Sequence, residues 1–309
     1  MIGVDAGFAM PSLIQLLDRA IQRRTPLELL DTNALRLVDG SGDDLPGLTI
    51  DEFAGRRLLS TSEPELPPDL QTWAREIGLT AYWKHLDQHE MDPPAHLADR
   101  QQSEPFNILE HGIRFRVSFQ AGYSQGIFLD QRDNRLRVRH RCQPGDAILN
   151  TFAYTGAFSV CAALAGALTT TLDLSQTYLD WARENFQLNQ IDPATQHFCK
   201  GDTFHWLQRF AKQGRTFRGI ILDPPTFSRD DEGKVFRAEE DYGRLVELAS
   251  ACLAPHGWIL CTTNCRRLPH ATFERTVLKA LPQASRLNSY PMPPDFTGEP
   301  YLKTLLAIT

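Results

Sequence analysis

Three carboxylates stand at the ends of successive apolar runs in the second half of the chain. Asp173 closes Thr169-Thr170-Thr171-Leu172, Asp202 follows Lys200-Gly201, and Asp223 opens Asp223-Pro224-Pro225-Thr226-Phe227. An acid at the carboxyl end of a strand faces the place where open α/β sheets bind ligands. Asp173 could accept both hydroxyls of a ribose, Asp202 an adenine amino group, and Asp223 would face the reacting centre. The same residue types serve as turn residues and helix caps, and Asp202 taken alone reads as readily that way. Pro224 and Pro225 fix the backbone and remove two N–H donors. The remaining carbonyls and the Asp223 carboxylate make an acceptor-rich rim, suited to the amino or imino edge of a flat base on which Phe227 would stack. Cys265 reads as a semi-buried strand-end cysteine, with Arg266 and Arg267 beside it to lower its thiol pKa.

These side chains need a scaffold, and the stretch from Ala147 to Asp173 supplies its pattern. An apolar run, Ala147-Ile148-Leu149-Asn150-Thr151-Phe152, ends in a turn. Gly156 then opens a small-residue helix, and a second β-branched run ends in Asp173. This is a βαβ unit of about 30 residues. Strands are expected at 147–152, 168–173, 195–199, 218–222, 257–263, 285–290 and 301–308, with helices between the first five and one more at 270–281. Such alternation predicts a parallel sheet covered on both faces. Only Pro291 to Pro300 separate the last two strands, so they should form an antiparallel hairpin at the sheet's end. A dinucleotide fingerprint needs a Gly-rich turn to cradle pyrophosphate, and here only Gly156 is present. An adenosine ligand without phosphates fits better, and S-adenosyl-L-methionine is that ligand.

Upstream, Leu13, Leu16, Leu17, Ala20 and Ile21 recur at helical spacing. Gly and Pro punctuate short strands from Asn33 to Leu48, and residues 54–90 continue as a small α+β unit. The polar, Pro-bearing segment from Met91 to Pro105 reads as a linker, which places a small α+β domain at 1–105 and the cofactor-binding domain at 106–309. Alternating Ile113, Phe115, Val117 and Phe119 mark a half-buried strand, and Gly122 to Gly126 a turn. A helix follows Phe128-Leu129-Asp130-Gln131-Arg132 and ends near Cys142.

The net charge of −6 over 309 residues excludes a protein coated in positive charge but leaves room for a basic face. Arg132, Arg135, Arg137, Arg139, His140 and Arg141 form the densest basic stretch, either a contact for RNA phosphates or a solvated helix face. Cys142, Cys161, Cys199, Cys252, Cys261 and Cys265 show no CxxC pair, so neither a disulfide framework nor a metal site is expected. Met1 to Ala9 lacks the pattern of a secretory signal, and no run is long enough to span a membrane. A reducing cytoplasm is the expected location, and a homodimer stays open.

Several motifs together resemble the class I methyltransferases that act on large-subunit ribosomal RNA. They are Phe152-Ala153-Tyr154-Thr155-Gly156, Asp173-Leu174-Ser175, Trp181-Ala182-Arg183-Glu184-Asn185-Phe186, Asp223-Pro224-Pro225-Thr226-Phe227-Ser228, Gly126 to Arg135, Tyr301-Leu302-Lys303, and Asn33 to Phe53. The resemblance covers most of the chain. It implies a Rossmann-like methyltransferase sheet behind a small N-terminal α+β domain that faces substrate. It also implies an S-adenosyl-L-methionine cleft shaped by Arg132, Asn150, Phe152, Tyr154, Gly156, Asp173, Leu174, Asp202 and Thr203. Asp223, Pro224 and Pro225 would position the target nitrogen, with Phe227, Arg266 and Arg267 on the RNA. Cytosine-C5 members place a nucleophilic Cys at the position of Cys265 but in a Ser-Cys-Ser setting, and carry an N-terminal RNA-binding module for which no room exists before Asn33. The neighbours of Cys265, and Thr226 in the Asp-Pro-Pro motif, lean towards the guanine-modifying relatives. Cytosine-C5 chemistry through Cys265, methylation of a protein or small molecule, and a binding protein without turnover are the alternatives.

Overall fold

The computed structural model describes residues 11–27, 31–86, 92–121, 124–229, 233 and 235–309. The stretch read for a signal sequence, and residues 122–123 of the expected turn, lie outside the described residues. Helix α1 (Leu13–Arg24) starts on a capping box, in which Ser12 Oγ accepts from the Gln15 N–H while the Gln15 side chain accepts from the Ser12 N–H. Strands β1 (Ala34–Asp39), β2 (Leu48–Phe53) and β3 (Arg56–Thr61) follow as an antiparallel meander. Helix α2 (Pro68–Glu76) crosses over to β4 (Thr80–His85), which runs parallel to β3. The segment expected to be a linker also carries β5 (Ala95–Ala98), which pairs with β4 and completes a five-stranded sheet. Four residues in a polar, Pro-flanked setting give too little periodicity to betray a strand, and pairing with β4 overrides that local signal.

The hairpin of β6 (Phe106–Glu110) and β7 (Ile113–Val117) joins the two halves. Ile108, Ile113, Phe115 and Val117 share one core with Ala34, Phe53, Leu58 and Tyr82 of the first sheet. Val160, Cys161 and Phe186, from the helices that cover the second sheet, complete it. Each fully buried Val, Leu, Ile or Phe side chain among them stabilises by roughly 1.5–3 kcal/mol.

The second half begins with α3 (Arg132–Arg141), β8 (Ala147–Thr151), α4 (Ala157–Leu164), β9 (Leu168–Asp173), α5 (Gln176–Leu188), β10 (His197–Lys200), α6 (Thr203–Lys212) and β11 (Phe217–Leu222). A short hairpin, β12 (Phe227–Arg229) with β13 (Val235–Arg237), precedes α7 (Ala238–Ser250), β14 (Leu253–Thr263), α8 (His270–Ala280), β15 (Arg286–Tyr290) and β16 (Lys303–Ile308). Seven strands line up as β10-β9-β8-β11-β14-β16-β15. The first five are parallel, and β16 runs antiparallel to both of its neighbours. The Rossmann-like sheet and its antiparallel final hairpin are as expected. The reversed strand, however, lies inside the sheet, with β15 outside it at the edge. The strand order turns back between β8 and β11, which is where such sheets open a crevice. Among the described residues no helix is long and apolar enough to cross a membrane.

Candidate active site

The crevice is there, and it is built from strand ends. A cleft of about 500 Å³ is lined by Phe152, Tyr154, Asp173, Leu174, Thr203 and Asp223, with Pro224 and Pro225 on its rim. That is ample room for a nucleoside-sized ligand. Past β8 the chain turns sharply: Phe152 and Tyr154 both take φ near +50°, and Gly156 takes +73°. Left-handed backbone costs a non-glycine residue of order 1 kcal/mol, and it recurs at functional loops. Here it aims the Tyr154 N–H at Asp173 Oδ2, 2.8 Å away. The Ser175 N–H donates to the other oxygen at 2.9 Å. Burial pushes the Asp173 carboxyl above its usual range, against the pull of these peptide donors. With two peptide partners the carboxylate keeps acceptor capacity towards the cleft, which suits a ribose diol.

Asp223 sits at the mouth of β11. Its Oδ1 accepts from Thr262 Oγ1 at 2.5 Å and from Gln131 Nε2 at 2.9 Å. Gln131 is itself fixed by Asn134, whose Nδ2 donates to Gln131 Oε1 at 2.6 Å and to Thr304 Oγ1 at 2.9 Å. Burial, reinforced by the charge of Asp130, outweighs these donors and pushes Asp223 up to about 6. Thr226 Oγ1 donates to Asn264 Oδ1 at 2.8 Å, tying the Asp-Pro-Pro loop to the end of β14.

A second cleft, of about 790 Å³, lies between the five-stranded sheet and the strand ends. Phe128, Asp130, Thr226 and Asn264 line both clefts. Phe227, Cys265, Arg266, Arg267 and Tyr301 line the outer one, opposite Arg36, Lys84 and Leu86 of the five-stranded sheet. The ion pairs of Arg266 with Glu299 (3.7 Å) and of Arg267 with Glu239 (3.8 Å) are long and exposed, so they bind these cations weakly. Cys265 is only 1% exposed, with Lys303 Nζ donating to its carbonyl at 3.0 Å.

Several expected residues do not line the inner cleft. Arg132 is fully buried and forms a two-pronged pair with Asp295, at 2.5 and 3.0 Å, which engages both of its Nη atoms in the seam between the sheets. Asn150 is buried and donates to Ser159 Oγ. Gly156 caps α4, and a Cβ there would come within 2.6 Å of Ala182, so close helix packing is what demands a glycine. Asp202 caps α6 by accepting from the His205 N–H at 2.8 Å, in a small recess beside the cleft with Phe152, Leu174 and Thr203. In the basic stretch, Arg135, Arg137 and Arg141 have structural partners. Arg135 pairs with buried Glu110, Arg137 stacks over Tyr290, Arg141 lies over Trp258, and none of Arg137, Arg139 and Arg141 lines either cleft. Gln131, Thr262, Asp130 and Phe128 were not singled out from sequence. The Phe128-Leu129-Asp130-Gln131-Arg132 run before α3 was the available signal for three of them.

This arrangement, a nucleoside-sized cleft at the switch point lined by the Asp173 carboxylate, is of the class I methyltransferase kind. A profile of the S-adenosylmethionine-dependent methyltransferase family matches residues 43–307, and the chain belongs to that family. S-adenosyl-L-methionine is its cofactor. Similar proteins include YwbD of Bacillus subtilis, provisionally named a ribosomal RNA large subunit methyltransferase. It is 33% identical over 95% of this chain and 76% of its own length. Ribosomal RNA large subunit methyltransferase I of Erwinia tasmaniensis is 32% identical over 85% of this chain and 69% of its own length. The crystal structure of SMU.776, provisionally a methyltransferase and complexed with SAH, superposes with a TM-score of 0.87. It is 28% identical and covers 97% of this chain and 83% of that one.

Proposed function

We propose that the enzyme methylates a base in large-subunit ribosomal RNA, at a guanine nitrogen. The observation that carries this reading is the position of Asp223. It is a recessed carboxylate beside the Asp-Pro-Pro rim, in the inner cleft, next to the opening towards a wide outer cleft edged by Arg266 and Arg267. Bound in the inner cleft, S-adenosyl-L-methionine supplies an electrophilic methyl group. Asp173 and the Tyr154 loop hold the ribose end, with Leu174 and Thr203 alongside. Asp223, locked by Gln131 and Thr262, accepts a hydrogen bond from the amino or imino edge of the base and so orients a lone pair for transfer. The outer cleft takes the RNA, and in this reading the chain divides into an RNA-facing unit at 1–105 and a catalytic unit at 106–309. The names of the relatives support RNA as substrate, and the burial of Cys265 supports a nitrogen target over cytosine C5. Cytosine keeps one observation in its favour: Cys265 lines the outer cleft, close to the Lys303 ammonium. The test is mass spectrometry of nucleosides from a deletion strain. Loss of a methylguanosine supports the reading, loss of 5-methylcytidine replaces it, and an unchanged nucleoside pool removes RNA as the substrate.

A further inference from the structure

Six large apolar side chains among the described residues are more than a third exposed, and three of them line one cleft. Leu86 (43%) stands just past β4 on the wall made by the five-stranded sheet, while Phe128 (46%) and Phe227 (52%) stand on the catalytic side. Apolar groups clustered at an open cleft mark the place where a partner is met. The surrounding cations, Arg237, Arg266 and Arg267, favour an anionic partner with flat apolar parts, which describes an RNA strand. Asp223 lines the inner cleft only. A reacting base must therefore pass the shared opening, where Phe128 and Thr226 stand, to reach it. A base stacked and paired within a helix cannot make that passage, and enzymes that modify such bases extrude them.

We propose that the outer cleft is a base-extrusion device for structured RNA, with Leu86 as the wedge that enters the stack and Phe128 and Phe227 as the aromatic jaws that receive the freed base. This rests on the RNA reading above. Leu86 replaces the lost stacking partner in the RNA, as inserted apolar side chains do at unstacked steps. Phe227 offers one face to the base, with the Arg237 guanidinium 5.5 Å from its ring centre to meet a neighbouring phosphate. Phe128 packs 5.5 Å from Tyr154, so the jaw and the cofactor loop are held together.

The test uses RNA purified from a strain lacking this protein, methylated in vitro with labelled S-adenosyl-L-methionine, either intact or after fragmentation and heating that remove secondary structure. Leu86→Ala should lower the intact-to-fragment rate ratio at least tenfold relative to wild type, and Leu86→Phe should restore most of it. Phe227→Ala should slow both substrates, because both need the jaw. An unchanged ratio for Leu86→Ala overturns the wedge. If Leu86→Ala is normal on naked RNA and defective only on ribosomal particles, the patch docks protein and the inference falls. If the wild-type enzyme methylates neither RNA, the RNA reading itself has failed and takes this inference with it.

Discussion

The inner cleft and the seam between the two sheets are both built around buried carboxylates, but they hold them in opposite ways. Asp173 is held by peptide N–H groups, and Asp223 by a hydroxyl and an amide. In the seam Asp43 takes both prongs of Arg24, Asp295 those of Arg132, Asp51 the Nε and Nη of Arg36, and Glu110 those of Arg135. Burial raises Asp173, Asp223 and, in the seam, Asp51 above the usual range, while at Asp43 the pull of Arg24 and the Asp39 N–H outweighs burial and brings it below. A carboxylate held by neutral donors remains available to a ligand. One saturated by a guanidinium is already spent on holding the fold.

Asp295→Ala should do the greatest damage. It strands Arg132 in a dry interior and removes the acceptor of the Arg36 N–H. Breaking a buried pair from one side costs about 3–5 kcal/mol, readable in urea unfolding. A loss below about 1 kcal/mol would mean that the seam does not carry the fold. Asp223→Ala should leave S-adenosylhomocysteine affinity near wild type while turnover falls at least a hundredfold, about 2.7 kcal/mol in barrier. The pH dependence sharpens this. With Asp223 raised to about 6, turnover through its ionised form should fall as pH drops through that value. The stability sign is the reverse. A carboxyl whose folded pKa is raised contributes stability below its unfolded value, near 4, and loses it as pH rises through about 6. Asp223→Asn should therefore be inactive yet more stable than wild type at pH 8, with the advantage gone near pH 4. Asp173→Ala should weaken S-adenosylhomocysteine binding at least tenfold, about 1.4 kcal/mol, by calorimetry. Unchanged affinity would place the ribose elsewhere. Cys265→Ser should have the smallest effect and keep at least about a tenth of turnover. A dead variant that still binds cofactor, or a covalent adduct trapped with 5-fluorocytosine RNA, would turn the chemistry to cytosine.

The same contrast explains what could be read from the sequence. Asp173 and Asp223 were legible because each ends a strand whose apolar run announces it, and local backbone rules then fix where the acid points. Arg132 was not. Its partner is 163 positions away, and no local pattern distinguishes an arginine bound for a cofactor from one bound for Asp295. Arg137 and Arg141 looked like a phosphate-binding stripe because α3 is unusually basic, but Tyr290 and Trp258, which stack beneath them, come from β15 and β14. The β12–β13 hairpin that carries Phe227 escaped for another reason: three-residue strands have no measurable period.

β16 follows every other strand of its sheet in sequence yet lies inside it. It brings Thr304 to Asn134, and through Asn134 and Gln131 it locks Asp223, while the preceding segment brings Asp295 to Arg132 and Tyr301 to Asp130. A nascent chain that has emerged as far as Pro291 already holds Asp173 and the Asp-Pro-Pro loop. It still lacks the clamp on Asp223 and the bolt between the sheets. Catalytic competence should therefore arrive abruptly as residues 295–308 dock, so that incomplete translation products transfer no methyl group even when they already bind nucleoside.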